Sequence, residues 1–393
     1  MTDGRHRVAL VTSSFHPHVG GVEEHVRQVA LALRAQGHDV VVWTVDRGEH
    51  LGVQTVDGVL VRYLPTPLPT MSPRGAARFA RAAPSAWRAW RHALHTDHPD
   101  LLHVHCFGPN GVYAAALART TRTPLVVSGH GETFMDPAAF ADAMLLRRGL
   151  RVALRRAAAV TGVSEVVLAD LRERFGLVGG SVVPNGVPEA PPLSPLGAER
   201  PTSTPVIAAV GRLERVKGFD LLIDALPLVR DHLPGARLRL GGSGSEQAAL
   251  VAQVERLGQG GAVTLLGSLA PEQVAAEMAA ADVVVVPSRR EAFGIVLLEA
   301  WRSGTALIAP NYDGPADLVR DGVDGLLVDP TDGPALAAAI VRVLTDPGLA
   351  SRLSVAGLVA VQRYSWPNVA SAYEVLYREQ PPARRPWWRS PSR

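Results

Sequence analysis

Residues 281–310, ADVVVVPSRREAFGIVLLEAWRSGTALIAP, decide the fold class. The valine run ahead of Pro287 is apolar without interruption, as a strand covered on both faces requires. A loop carrying Glu291 follows, then a helix beginning near Phe293 or Gly294, then a second apolar strand after Gly304. Strand, helix and strand in that order make the crossover unit of a parallel sheet. The same alternation extends outward. Upstream lie PVIAAVG (205–211), ARLRLGG (236–242) and AVTLLGS (262–268), and downstream GLLVDP (325–330).

An equivalent series fills the first half of the chain: RVALVTS, HDVVVWTV, DLLHVHC, PLVVSGH, AAVTGVS and GSVVPNGV, with an amphipathic helix, EEHVRQVALALRAQG, closed by Gly37. Between the two series runs PEAPPLSPLGAERPTSTP (188–205), proline-rich and without an apolar period, which reads as a linker. The expected organisation is α/β, with two Rossmann-like domains whose parallel sheets face a central cleft. Residues 1–188 form the first domain, 189–204 the linker and 205–365 the second domain. A helix over 366–380 packs back on the first domain, and 381–393 are a disordered tail. Ligands of such sheets bind beyond the carboxyl ends of the strands.

A chain of 393 residues with 47% hydrophobic and 20% charged residues is that of a soluble globular protein. A net charge of +3 is too small to argue for nucleic acid, but suits phosphorylated ligands or an anionic membrane surface. The single cysteine, Cys106, excludes an internal disulfide and a cysteine-rich metal site. No apolar run approaches the roughly 18 residues of a membrane span. The apolar part of RHRVALVTSSF (5–15) is too short for a signal peptide, so a cytoplasmic protein is expected.

Of the 40 basic residues only Lys217 is a lysine. It follows the strand PVIAAVG in one loop with Arg212, and together they could bind a diphosphate and neutralise charge growing on it. An arbitrary Arg/Lys pair would be a solvated loop, and Lys217 lacks the frame of a Walker A motif. Glu291 and Glu299 flank AFGIVLL. Free N–H groups at the helix start can bind an anion, Gly294 lets a ligand approach the backbone, and Glu299 could accept both hydrogen bonds of a vicinal diol. Two glutamates alone would suit a solvated helix face; the glycine and the flanking strands argue for a site. GGSGSEQ (241–247) lacks the third glycine of a dinucleotide fingerprint, and Glu246 reads as a helix N-terminal carboxylate. His16, His18, His103 and His105 also flank strand ends, where histidines are more often structural or exposed.

The stretch 287–319 resembles the E-x7-E motif of the retaining glycosyltransferases of the GT-B group, family 4, which include phosphatidylinositol mannosyltransferases and sucrose synthases. Further stretches fit in order: FHPHVGGVEEHVRQVALALRAQGHDVVVWT, TGVSEVVLADL, VVPNGV, GRLERVKGFDLLIDAL, LGGSGSEQAAL, VTLLGSL and DGVDGLLVDP. The resemblance spans about residues 8–365, essentially both domains.

What the resemblance implies is specific to residues. Arg212 and Lys217 bind the diphosphate of the donor. Glu291 contacts the hydroxyls of the transferred sugar, and the amides of Phe293, Gly294 and Ile295 hold sugar and phosphate. Glu299 binds the ribose, the backbone near Leu266 and Leu269 frames the base, and Gly21 closes on the phosphates. His130 contacts the donor sugar near the reacting carbon, while Gly20 and Glu23 lie where the acceptor binds. His130, Glu291, Arg212 and Lys217 form the expected catalytic set.

The implied activity is transfer of a hexosyl group from a UDP- or GDP-sugar, with retention, to a glycolipid, polysaccharide or small-molecule acceptor. Retention could come from a glutamate nucleophile or from same-face attack, and the resemblance favours the second. No D-x-D occurs, so no metal or other cofactor is expected. A nucleotide-sugar 2-epimerase or a non-catalytic nucleotide-sugar-binding protein is the alternative. RGAARFARAAPSAWRAWRHAL (74–94) and LLRRGLRVALRRAAA (145–159) are basic with apolar residues at helical spacing. They admit peripheral contact with an anionic membrane, or ordinary core-facing helices with arginine outside.

Overall fold

The computed structural model describes residues 5–18, 20–70, 72–135, 140, 143–189 and 204–379. The expected tail at 381–393 and all but the ends of the expected linker lie outside these residues. The chain divides into two compact units: one runs to Pro184 and resumes at Trp366, and the other is Asn185–Ser365. Asn185–Pro188 fall in the second unit because Val187 bridges to Ser365 and donates its N–H to the Tyr364 carbonyl at 2.8 Å.

The first unit holds strands β1 (Arg7–Thr12), β2 (Asp39–Val45), β3 (Val53–Val56), β4 (Val59–Leu64), β5 (Leu101–His105), β6 (Leu125–Gly129), β7 (Ala159–Gly162) and β8 (Ser181–Val182). Their order in the sheet is β3-β4-β2-β1-β5-β6-β7-β8. Every neighbouring pair is parallel except β3 with β4. That hairpin turns at Asp57 (φ 48°) and Gly58 (φ 75°), the two positive angles that a type I′ turn requires. The sequence expectation of parallel sheets did not include this hairpin.

Helix Gly21–Ala35 buries His25, Val26, Val29, Ala30 and Leu33, spaced three and four apart along one face. The C-terminal helix Trp366–Arg378 supplies Trp366, Val369, Ala370, Tyr373 and Tyr377 to the same core as β1, β2 and β4.

The second unit holds β9 (Val206–Val210), β10 (Arg237–Gly241), β11 (Val263–Gly267), β12 (Val283–Val285), β13 (Ala306–Pro310) and β14 (Leu326–Val328), in the order β11-β10-β9-β12-β13-β14, all parallel. Strand order reverses beside β1 in the first sheet and beside β9 in the second. At each reversal the following loops part in opposite directions and open a crevice at the carboxyl edge. In the second unit those loops are 211–218, after β9, and 286–294, after β12.

The two basic helical segments are divided. Helix Pro73–Asp97 buries Ala86, Trp90 and Ala93. Helix Met144–Arg156 buries Leu150, Ala153 and Leu154, while Met144, Leu145 and Val152 are exposed. No helix among the described residues is long and apolar enough to cross a membrane.

Candidate active site

The two loops at the second reversal are fastened together. Gly218 sits in the left-handed region (φ 68°), and a Cβ there would lie 2.0 Å from the Pro287 carbonyl oxygen, so only glycine lets the loops meet. Arg289 donates through both terminal nitrogens to the Asp220 carboxylate at 2.6 Å, and its N–H donates to the Val216 carbonyl at 2.8 Å. Asp313 Oδ2 accepts from the Glu291 N–H at 3.2 Å and from Arg290 Nε at 3.0 Å, which fixes where Glu291 leaves the backbone.

This clamp brings Lys217 to Glu291. Lys217 Nζ donates to Glu291 Oε2 at 2.5 Å, and the Ser288 hydroxyl donates to the same oxygen at 3.3 Å. Glu291 Oε1 makes no hydrogen bond to a described residue. Lys217 carries three N–H donors, of which Glu291 takes one and two remain. Arg212, expected to act as the partner of Lys217, is exposed at the start of the same loop; the partner of Lys217 in the structure is Glu291.

Helix Ile295–Arg302 begins after Gly294, which has φ 90°. The amides of Phe293, Gly294 and Ile295 stand at this start, where N–H groups have no intrahelical acceptor. One turn in, the Glu299 side chain makes no hydrogen bond to a described residue, and burial raises its pKa, opposed by Arg302. A desolvated carboxylate without donors is a group suited to receiving a ligand's hydroxyls. Leu266 and Leu269, at and after the end of β11, are partly exposed.

The first unit gathers histidines at its own strand ends. His105 ends β5 and His130 follows β6. His105 Nδ1 lies 3.1 Å from His130 Nε2, and His25 stacks edge-on to His130 with ring centroids 4.6 Å apart. One ring nitrogen from each of His25, His105 and His130 lies within 4.8 Å of the others, a spacing from which a metal ion could be held. His25 Nε2 is 3.2 Å from the Tyr373 hydroxyl. Behind them His103 is bonded at both nitrogens, to the Tyr377 hydroxyl at 2.6 Å and to Ser128 Oγ at 2.7 Å. Burial lowers the pKa of His103 to about 3 and those of His105 and His130 well below the usual value, with neighbouring imidazoles adding to the effect. All three are neutral near pH 7.

Glu132 was not singled out from sequence. Its carboxylate accepts from the Phe107 N–H at 2.7 Å and the His130 N–H at 2.8 Å, tying the end of β5 to the end of β6. Its nearness in sequence to the strand-end His130 was the available signal. Of the expected residues before the first helix, Gly20 is its N-cap in an extended conformation and Gly21 its first residue. Glu23 folds back so that its Oε2 would lie 2.5 Å from a Cβ at position 20. His16 is exposed and His18 pairs with Glu49 at 3.3 Å.

Residues 197–358 match the family model described as Glycosyl transferases group 1, and residues 19–190 the one described as Glycosyltransferase Family 4. The chain is 30% identical to the glycogen synthase of Mycobacterium tuberculosis, with 94% of each protein covered. It is 31% identical to the phosphatidyl-myo-inositol mannosyltransferase of Mycobacterium leprae, over 91% of this chain and 92% of that one. Among solved structures, the sucrose-phosphate synthase of Thermosynechococcus elongatus is similar at a TM-score of 0.77 and 27% identity, covering 95% of this chain and 99% of the other.

Proposed function

The chain belongs to the group 1, family 4 glycosyltransferases, which have the GT-B fold, and from that premise we propose a retaining, metal-independent hexosyl transfer from a nucleotide diphosphate sugar. The observation that carries the proposal is the Lys217–Glu291 pair. Lys217 holds Glu291 through Oε2 and keeps two donors for the diphosphate, while Glu291 Oε1 stays open to a sugar hydroxyl. One ammonium thus organises both the leaving group and the group being transferred.

Arg212 and the amides of Phe293, Gly294 and Ile295 add positive potential where the leaving diphosphate gains charge. Glu299 accepts the ribose diol, and the backbone near Leu266 and Leu269 frames the base. His130 contacts the transferred sugar, Gly21 the phosphates, and Gly20 and Glu23 the acceptor. With Lys217 on its other oxygen, Glu291 serves as a sugar-binding group, and the leaving phosphate takes the proton of the acceptor in a same-face attack. The donor is a UDP- or GDP-sugar. The acceptor is a glycan, glycolipid or polyol, reached by a cytoplasmic enzyme with peripheral contact to an anionic membrane.

The test is a thermal-shift and turnover screen across UDP-, GDP- and ADP-sugars, with the product anomer read by NMR. One donor class should stabilise the protein and be turned over with retention, and Glu291→Ala should abolish both transfer and slow donor hydrolysis. An inverted product would overturn the retaining assignment. Stabilisation by a donor with no turnover would make the protein a sensor.

A further inference from the structure

The histidines of the first unit carry more information than their positions. A neutral imidazole has one N–H and one bare nitrogen. The bond between His105 Nδ1 and His130 Nε2, 3.1 Å long, therefore has two possible polarities. His105 is fully buried, and its Nε2 has no hydrogen-bond partner.

If His105 carried its proton on Nε2, a buried N–H would be left without an acceptor, an arrangement that folded proteins rarely tolerate. With the proton on Nδ1, the N–H donates to His130 Nε2 and only a lone pair goes unused. We propose that His105 is a positioning residue: its Nδ1–H donates to His130 Nε2, holds His130 as the Nδ1–H tautomer and so turns an N–H donor toward an oxygen of the transferred sugar. This rests on the reading of His130 as a donor-sugar contact.

The surroundings make the arrangement rigid. His105 is packed on His103 at 4.0 Å between ring centroids, and His103 is held at both nitrogens. Tyr373 meets His105 edge-on at 5.8 Å. Glu132 fixes the backbone of His130 through its N–H. With both ends of the bond immobile, the tautomer is decided by which nitrogen of His105 has a partner. A neutral His130 donates a hydrogen bond and keeps its proton.

The test uses the full chain labelled with 15N-histidine, with tautomers read from ring nitrogen shifts and His130 assigned through His130→Gln. His105→Phe keeps a planar side chain but has no N–H, whereas His105→Asn places an amide N–H near the former Nδ1. The parent and His105→Asn should show His130 protonated at Nδ1, and His105→Phe should release it to a mixture. The kcat of His105→Phe should fall about tenfold with little change in donor KM, as expected for one lost hydrogen bond, while His105→Asn stays within about threefold. An Nε2–H tautomer of His130 in the parent would overturn the proposal whatever the activity. So would a stoichiometric metal on these imidazoles whose removal by chelator changes the ring shifts. A tautomer change in His105→Phe with an unchanged transfer rate would instead overturn the role of His130 at the sugar.

Discussion

Lys217→Ala should have two separable consequences. The ammonium lies 2.5 Å from Glu291 Oε2, with the two side chains 19% and 9% exposed. Loss of one preorganised contact to the leaving group should lower kcat about 100-fold, or about 2.7 kcal/mol. Loss of the cation also leaves Glu291 buried with only Ser288 beside Oε2. Removing one partner of a fully buried ion pair costs about 3–5 kcal/mol. Because Lys217 is partly exposed, the cost of an unsatisfied polar group, about 1–3 kcal/mol, is the better measure here. In a unit of this size each kcal/mol moves Tm by about 2–4 °C.

Single-turnover kinetics and thermal melts read the two effects separately. In Lys217→Ala/Glu291→Gln the carboxylate no longer needs a counter-charge, so Tm should recover while transfer does not. Lys217→Arg keeps the charge but replaces a compact ammonium with a planar fork, and full activity would show that charge alone matters there. A folded Lys217→Ala enzyme turning over within about threefold of the parent would refute the placement of the diphosphate.

Glu299→Gln should raise donor KM and also raise the Tm of the ligand-free protein. The Glu299 pKa is raised by burial, so between its unfolded and folded pKa values the folded state binds more protons. Stability therefore falls as pH rises through that interval, and the cost is fully present above the folded pKa; the glutamine variant should lose this slope in melts run as a pH series. Gly218→Ala should lower both Tm and kcat, because its Cβ would approach the Pro287 carbonyl oxygen to 2.0 Å and push the Lys217 loop from Glu291; unchanged kinetics would mean that the contact is not needed. Co-sedimentation with anionic vesicles at low salt should be detectable and weaken with added salt, and its absence would remove the proposed membrane contact.

The β-α alternation was legible because buried parallel strands are continuous apolar runs. Glu291, Glu299 and Gly294 were legible because they lie close together around one helix start. The Lys217–Glu291 bond was not, since it spans 74 residues and depends on Gly218 letting two loops touch. Nor was the histidine cluster. It draws on a helix, two strand ends and a tyrosine 348 residues from His25, and no local pattern records such a meeting. The β3–β4 hairpin carries its own signal, Asp57-Gly58 between alternating residues, which the longer apolar runs of the parallel strands outweigh.

The C-terminal helix gives this chain an order of manufacture. Residues that close the first core, Tyr373 and Tyr377 among them, leave the ribosome after the whole of Asn185–Ser365. Domains generally fold as units during synthesis, so the second unit can finish while the first is still waiting for its last helix. During that wait His25 lacks the Tyr373 hydroxyl and His103 lacks the Tyr377 hydroxyl. A nascent chain stalled before Trp366 should therefore carry a second unit that is complete and a first unit whose histidine array is still unset.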